Sequence, residues 1–104
     1  MSMIYRNIRF GEKVDRALRR RWKMHGDLSG HVREALGKVD LAAVALVEVD
    51  NRRVKATQIG NVEPGWENVQ QVAQLRGCSV NTLVNSAVWA VFGSRKPRLR
   101  ECKG

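Results

Sequence analysis

The run WENVQQVAQLRGCSVNTLVNSAVWAVF, from Trp66 to Phe92, decides the fold. It reads as an amphipathic helix, a turn written Arg76-Gly77-Cys78-Ser79-Val80-Asn81, and a second, more apolar helix. In the second helix Val80, Leu83, Val84, Ala87, Val88 and Val91 recur at helical spacing and line one face. Ser79 stands where a hydroxyl accepts from the orphan N–H groups of a first turn. Gly77 stands where the preceding helix needs a left-handed residue to end on. A short strand-like segment, Val54 to Gly60 with Ile59 as its apolar anchor, comes before this pair. Pro64 is suited to the first turn of the first helix, and Trp66, Val69, Val72 and Ala73 give that helix its buried face.

The first half of the chain repeats this order. Ile4, Ile8 and Phe10 alternate with Tyr5, Asn7 and Arg9, which predicts a strand with one buried face, interrupted by Arg6. Gly11 breaks the pattern, and a helix begins near Glu12 on Val14, Ala17, Leu18 and Trp22. Gly26 ends it, and Asp27 can cap the next helix. That helix carries Val32, Ala35, Leu36, Val39, Ala42, Ala43, Leu46 and Val47, with Gly37 as its weak point. Leu41 to Val49 is open to a second reading, as a strand turning at Asp50-Asn51. The unbroken phase from Val32 favours the helix.

Shifting the chain by 51 lays Ile8 on Ile59, Leu18 on Val69, Trp22 on Ala73 and Gly26 on Gly77. After the turn the shift becomes 52: Asp27 falls on Ser79, Leu28 on Val80, Val32 on Val84, Ala35 on Ala87, Leu36 on Val88 and Val39 on Val91. One strand–helix–helix unit leaves two strand edges unpaired and too little surface to bury. Two units remove both problems if their strands pair antiparallel. The expected fold is therefore mainly α with a two-stranded antiparallel ribbon. Two tandem strand–helix–helix units, 1–49 and 50–93, form an intramolecular pseudo-dimer with one core, followed by a basic tail, 94–104.

Each half resembles the ribbon-helix-helix (Arc/MetJ-type) DNA-binding family. The first match is Ile8-Arg9-Phe10 before Val14-x-x-x-Leu18, then Gly26 and Val32-Arg33-Glu34-Ala35-Leu36. The second is Arg76-Gly77-Cys78-Ser79-Val80-Asn81 with Val84 and Ala87-Val88. The resemblance spans residues 3 to 47 and 53 to 92. The tandem form resembles the duplicated members found among plasmid conjugation accessory proteins. It implies a monomeric pseudo-dimer that binds double-stranded DNA, with self-association on DNA left open.

A two-stranded ribbon fits the major groove, where each base pair shows a distinct pattern of donors and acceptors. The outward side chains Tyr5, Asn7 and Arg9 are the candidate readers. Arg suits guanine and Asn suits adenine. The shift of 51 puts Ala56, Gln58 and Gly60 on the same face, with Gln58 the obvious reader. The opposite phase exposes Lys55 and Thr57 instead. A face rich on one strand and poor on the other implies a non-palindromic site. The resemblance further implies that the amides at the start of each unit's second helix clamp a phosphate, as helix N-termini favour anions. Ser79, Val80 and Asn81 fill that position in the second half, and Ser29 and Gly30 in the first, where Asp27 sets a carboxylate nearby.

The 104 residues carry a formal net charge of +9, which points to a polyanionic partner. Arg16, Arg19, Arg20, Arg21 and Lys23, and the tail with Arg98 and Arg100, would add non-specific phosphate attraction. Singly, each also reads as an ordinary solvated charge. Trp22, Trp66 and Trp89 read as core or interface residues, and His31 as a polar edge residue with no catalytic partner. No run approaches the ~20 apolar residues of a membrane span. The first residues lack the apolar core of a secretory signal, so the expected location is cytoplasmic. Cys78 and Cys102, with His25 and His31, lack metal-site spacing.

No cofactor, metal, membrane or small-molecule substrate is expected. No paired carboxylates, phosphate loop or nucleophile–base pair mark an enzyme. The reading is a sequence-specific DNA-binding transcriptional repressor. The alternatives are a plasmid conjugation (relaxosome) accessory protein, a basic protein-interaction module, and an antitoxin, which the lack of a long partner-binding tail disfavours.

Overall fold

Strand β1, Met3–Ile8, pairs antiparallel with β2, Thr57–Val62, about half the chain away. The computed structural model describes residues 3–25, 28–49, 56–62 and 65–93, with the backbone alone for 21–25. Between the strands lie α1, Glu12–His25, and α2, Leu28–Lys38. After β2 come α3, Gly65–Arg76, and α4, Val80–Val88, which runs into a π-helical turn, Trp89–Gly93. The strand, helix, helix order thus occurs twice, and the molecule is mostly helical with one two-stranded sheet.

The register sets Met3 opposite Val62, Ile4 opposite Asn61, Tyr5 opposite Gly60, Arg6 opposite Ile59, Asn7 opposite Gln58 and Ile8 opposite Thr57. Directly opposed residues share a face. Ile8 and Ile59 are buried on the inner side with Phe10, and Arg6 is half-buried among them. These join Val14, Leu18, Val32, Ala35, Trp66, Val69, Ala73, Leu83, Val84 and Val88 in one core. Full burial of each large apolar side chain there contributes about 1.5–3 kcal/mol. The aromatic Trp66 is buried and donates from Nε1 to the Ile4 carbonyl at 2.8 Å, tying α3 to β1.

Helix α4 is the centre of the packing. Six consecutive residues, Leu83 to Val88, are buried, so the helix is covered on every side rather than along one stripe. Its start is well defined. Ser79 has extended backbone angles (φ −81°, ψ 158°), and its Oγ accepts from the Thr82 N–H at 3.0 Å. Gly77 has φ +70° and closes α3: its N–H donates to Gln74 and the Cys78 N–H donates to the Ala73 carbonyl.

Three expectations change. First, α2 stops at Lys38, and residues 41–49 are neither helix nor strand. Asp40 organises a turn there, its carbonyl accepting from Ala43 and Val44 and its Oδ1 from Ala42. Leu41 and Val44 still pack on the core, while Ala42, Ala43 and Leu46 are exposed. Arg76 Nη1 donates to the carbonyls of Leu41 (3.0 Å) and Val44 (2.7 Å), and Val47 N–H donates to Ser86 Oγ (3.0 Å). These side chains meet the backbone needs that a helix would otherwise have met internally.

Second, β2 lies further along than the alternation implied. Asn61 and Val62 belong to the strand, because the buried Asn61 pairs opposite Ile4. Third, His31 is buried, not a polar edge residue. It stands edge-on to Phe92 at 6.0 Å, with Nδ1 3.9 Å from Glu34 Oε1. Gly26, Asp27, Asp50 to Lys55, Pro64, the Trp22 side chain and the tail from Ser94 lie outside the described residues. Among the described residues no helix is long and apolar enough to cross a membrane.

Candidate nucleic-acid interface

The outer face of the ribbon carries three cross-strand pairs: Met3 with Val62, Tyr5 with Gly60, and Asn7 with Gln58. Among the described residues no helix covers it. Tyr5 keeps 60% of its surface exposed and Met3 41%, and Asn7, Arg9, Ala56 and Gln58 are also exposed. The four expected readers Tyr5, Asn7, Arg9 and Gln58 therefore stand together on or beside one face. Thr57 lies on the inner side opposite buried Ile8, so the phase that exposes it is not the one adopted. Lys55 lies outside the described residues.

Gly60 shapes the middle of that face. A Cβ there would come within 2.9 Å of Met3 Cγ and 3.0 Å of Tyr5 Cε2. The missing side chain is what lets Tyr5 and Met3 lie across the second strand.

Both strands have a free edge, and each is held by side chains from the start of a helix. Gly60 N–H donates to Ser29 Oγ at 3.0 Å, and the Gly60 carbonyl accepts from Arg33 Nη1 at 2.9 Å. Arg9 N–H donates to Asn81 Oδ1 at 2.7 Å, and the Arg9 carbonyl accepts from Asn81 Nδ2 at 2.9 Å and Asn85 Nδ2 at 3.2 Å. Asn85 is fully buried. It also donates to the Asn81 carbonyl (2.8 Å) and accepts from the Gly11 N–H (2.8 Å), fixing the corner between β1 and α1. The helix starts hold the ribbon by imitating a neighbouring strand.

These clasps define what each helix start can offer an anion. The Asn81 side chain is committed to Arg9, and the Thr82 N–H to the Ser79 cap. The backbone N–H groups of Val80 and Asn81 remain as first-turn donors. Ser29 and Gly30 are half-buried in the first turn of α2, with the Ser29 hydroxyl accepting from Gly60. Arg98 and Arg100 lie outside the described residues.

On α1, Arg19 Nε donates to Asp15 Oδ2 at 2.8 Å and Arg16 is 3.8 Å from Glu12. The hydrogen bond to Asp15, and secondly its charge, holds the exposed Arg19 guanidinium above its ordinary value. Exposed pairs of this kind add little to stability and leave less positive field for a polyanion.

Sequence reasoning overlooked Arg33, Asn85, Ser86 and Arg76. A signal for the first two was present: Ser29-x-x-x-Arg33 and Asn81-x-x-x-Asn85 share one spacing, 52 residues apart. Among the described residues no group of three or more His, Cys, Asp or Glu side chains converges on a metal-sized site. Comparison with protein-family models, curated proteins and solved structures returns no match.

Proposed function

We propose that this chain is a cytoplasmic, sequence-specific double-stranded DNA-binding protein, a transcriptional repressor that reads the major groove with the outer face of β1 and β2. It is built as two ribbon-helix-helix copies closed into a pseudo-dimer on one chain. The observation that carries the reading is the uncovered ribbon face, with polar readers at its centre and a clasped edge on each side. A two-stranded antiparallel ribbon has the width to enter the major groove and present side chains to base edges.

The two-copy construction draws support from two independent sets of positions. Asn7 faces Gln58, 51 residues on, as residues beside a two-fold axis face their own counterparts. The clasps obey the same spacings: Arg9 and Gly60 are 51 apart, and Ser29 with Arg33 stands 52 before Asn81 with Asn85. Each copy's second helix thus grips the other copy's strand. The net charge of +9 favours a polyanionic partner.

The test is to select a preferred duplex from random DNA and compare variants on it. Arg9→Ala, Asn7→Ala and Gln58→Ala are each expected to lose about 1–3 kcal/mol on the selected site and little on random duplex. Equal losses on both DNAs would defeat the assignment of the ribbon as reader.

A further inference from the structure

The outer face of the ribbon changes character along its length. Toward one end stand Asn7, Gln58 and, just past the strand, Arg9. At the other end Met3 stands opposite Val62, with Tyr5 next along the strand. Among the described residues six large apolar side chains are exposed, and three of them, Met3, Tyr5 and Val62, share this end. Single exposed apolar residues need no explanation, but a group of them beside polar readers does.

Gly60 makes the three a continuous surface. A Cβ there would lie 2.9 Å from Met3 Cγ, 3.0 Å from Met3 Sδ and 3.0 Å from Tyr5 Cε2. Met3 and Tyr5 therefore lie across the second strand, next to Val62, and Gly60 is buried beneath them.

In the major groove the base edges carry donors, acceptors and one apolar group, the thymine 5-methyl. An apolar side chain entering the groove therefore finds apolar surface to cover at thymine and at no other base. We infer, resting on the groove-reading role proposed for this same face, that Met3, Val62 and the Tyr5 ring select thymine by its methyl group. Asn7, Gln58 and Arg9 read hydrogen-bonding edges at the other end. Outward pairs follow one another every two residues, about 7 Å along the strand. That is the rise of about two base pairs. The selected thymines thus fall about two to four base pairs to one side of the bases under Asn7 and Gln58, which gives the site a direction. A second copy of the chain is a poorer occupant. Three partly exposed side chains fall short of the roughly 800 Å² per partner of a stable protein interface, and two chains of charge +9 repel.

The test takes a duplex selected from random DNA and replaces its thymines, one at a time, by deoxyuridine. The change removes the methyl and keeps the hydrogen-bonding edges. At one or two thymines on one side of the site, uracil is expected to weaken binding about fourfold, the effect of uncovering one methyl group. Met3→Ala combined with Val62→Ala should bind the thymine duplex more weakly and lose the response to uracil. Met3→Ala alone serves should the pair disturb the ribbon, with the thermal midpoint reporting on folding. A selected duplex with no uracil-sensitive thymine, or a response to uracil that persists in the folded variant, would overturn the thymine assignment alone. Failure to select any duplex would overturn the groove-reading role as well. A variant that changes particle size in light scattering and leaves the uracil response intact would assign the patch to contact between copies instead.

Discussion

Asn85 illustrates how a polar side chain becomes part of a core. It has no exposed surface, yet its Oδ1 accepts from Gly11 and its Nδ2 donates to Arg9 and Asn81. A buried amide is tolerated when its partners are themselves groups that need one. Here the partners are backbone groups at a strand end and a helix start. Asn85→Ala removes both sides of that arrangement, orphaning the Gly11 N–H in the interior. A loss of about 2–4 kcal/mol is expected, read as a lowered midpoint in urea unfolding with an unchanged slope. A loss within about 0.5 kcal/mol, the range of an ordinary surface change, would mean the corner is held by something else. Asn81 teaches the complementary lesson. Its place in the first turn of α4 suggests an anion contact, but the side chain pairs with the backbone of a residue 72 positions away. Local pattern gives the position of such a residue, not its partner.

The start of α4 and the linker after α2 mark how far local pattern reaches among the elements. The Ser79 cap and the left-handed Gly77 follow from a few adjacent residues, and both occur as the sequence implies. The same holds for α1 from Glu12 and for the alternation of β1, except that Ile4, expected on the buried side, stays exposed. Ser79→Ala leaves the Thr82 N–H without its acceptor and should cost about 1 kcal/mol, measurable as a drop in thermal midpoint. Rescue by Ser79→Asp, another good cap, separates capping from packing; failure of the acidic cap to restore stability would point away from it.

The linker fails as a local reading for a physical reason. Its apolar residues keep helical phase from Val32 onward, but Gly37 weakens the helix and Asp40 turns the chain. What then satisfies the linker's backbone comes from Arg76 and Ser86, more than thirty residues on. The outward-facing positions of the ribbon were legible because a strand has a period of two. The grips of Arg33 and Asn85 were not, because they exist only once two distant segments meet.

At the scale of the whole molecule, the linker decides which ribbon forms. β1 and β2 are separated by two helices and an irregular segment, so the same pairing is available between two chains that exchange halves. Residues 41–47 work against that exchange. They are held at Leu41, Val44 and Val47 by Arg76 and Ser86, which ties the segment after α2 to α3 and α4 of the same molecule. Pairing within a chain has an effective concentration set by the linker and independent of how much protein is present. Light scattering should therefore find one chain per particle. The thermal midpoint should stay constant over about a hundredfold dilution, whereas a dimer's stability falls with protomer concentration. A midpoint that falls on dilution, with particles of two chains at the higher concentration, would assign the ribbon to an exchanged dimer. Arg76→Ala then serves as a second probe. Freed from its contacts with Leu41 and Val44, the linker should allow exchange, and the variant should show a two-chain species that the parent lacks.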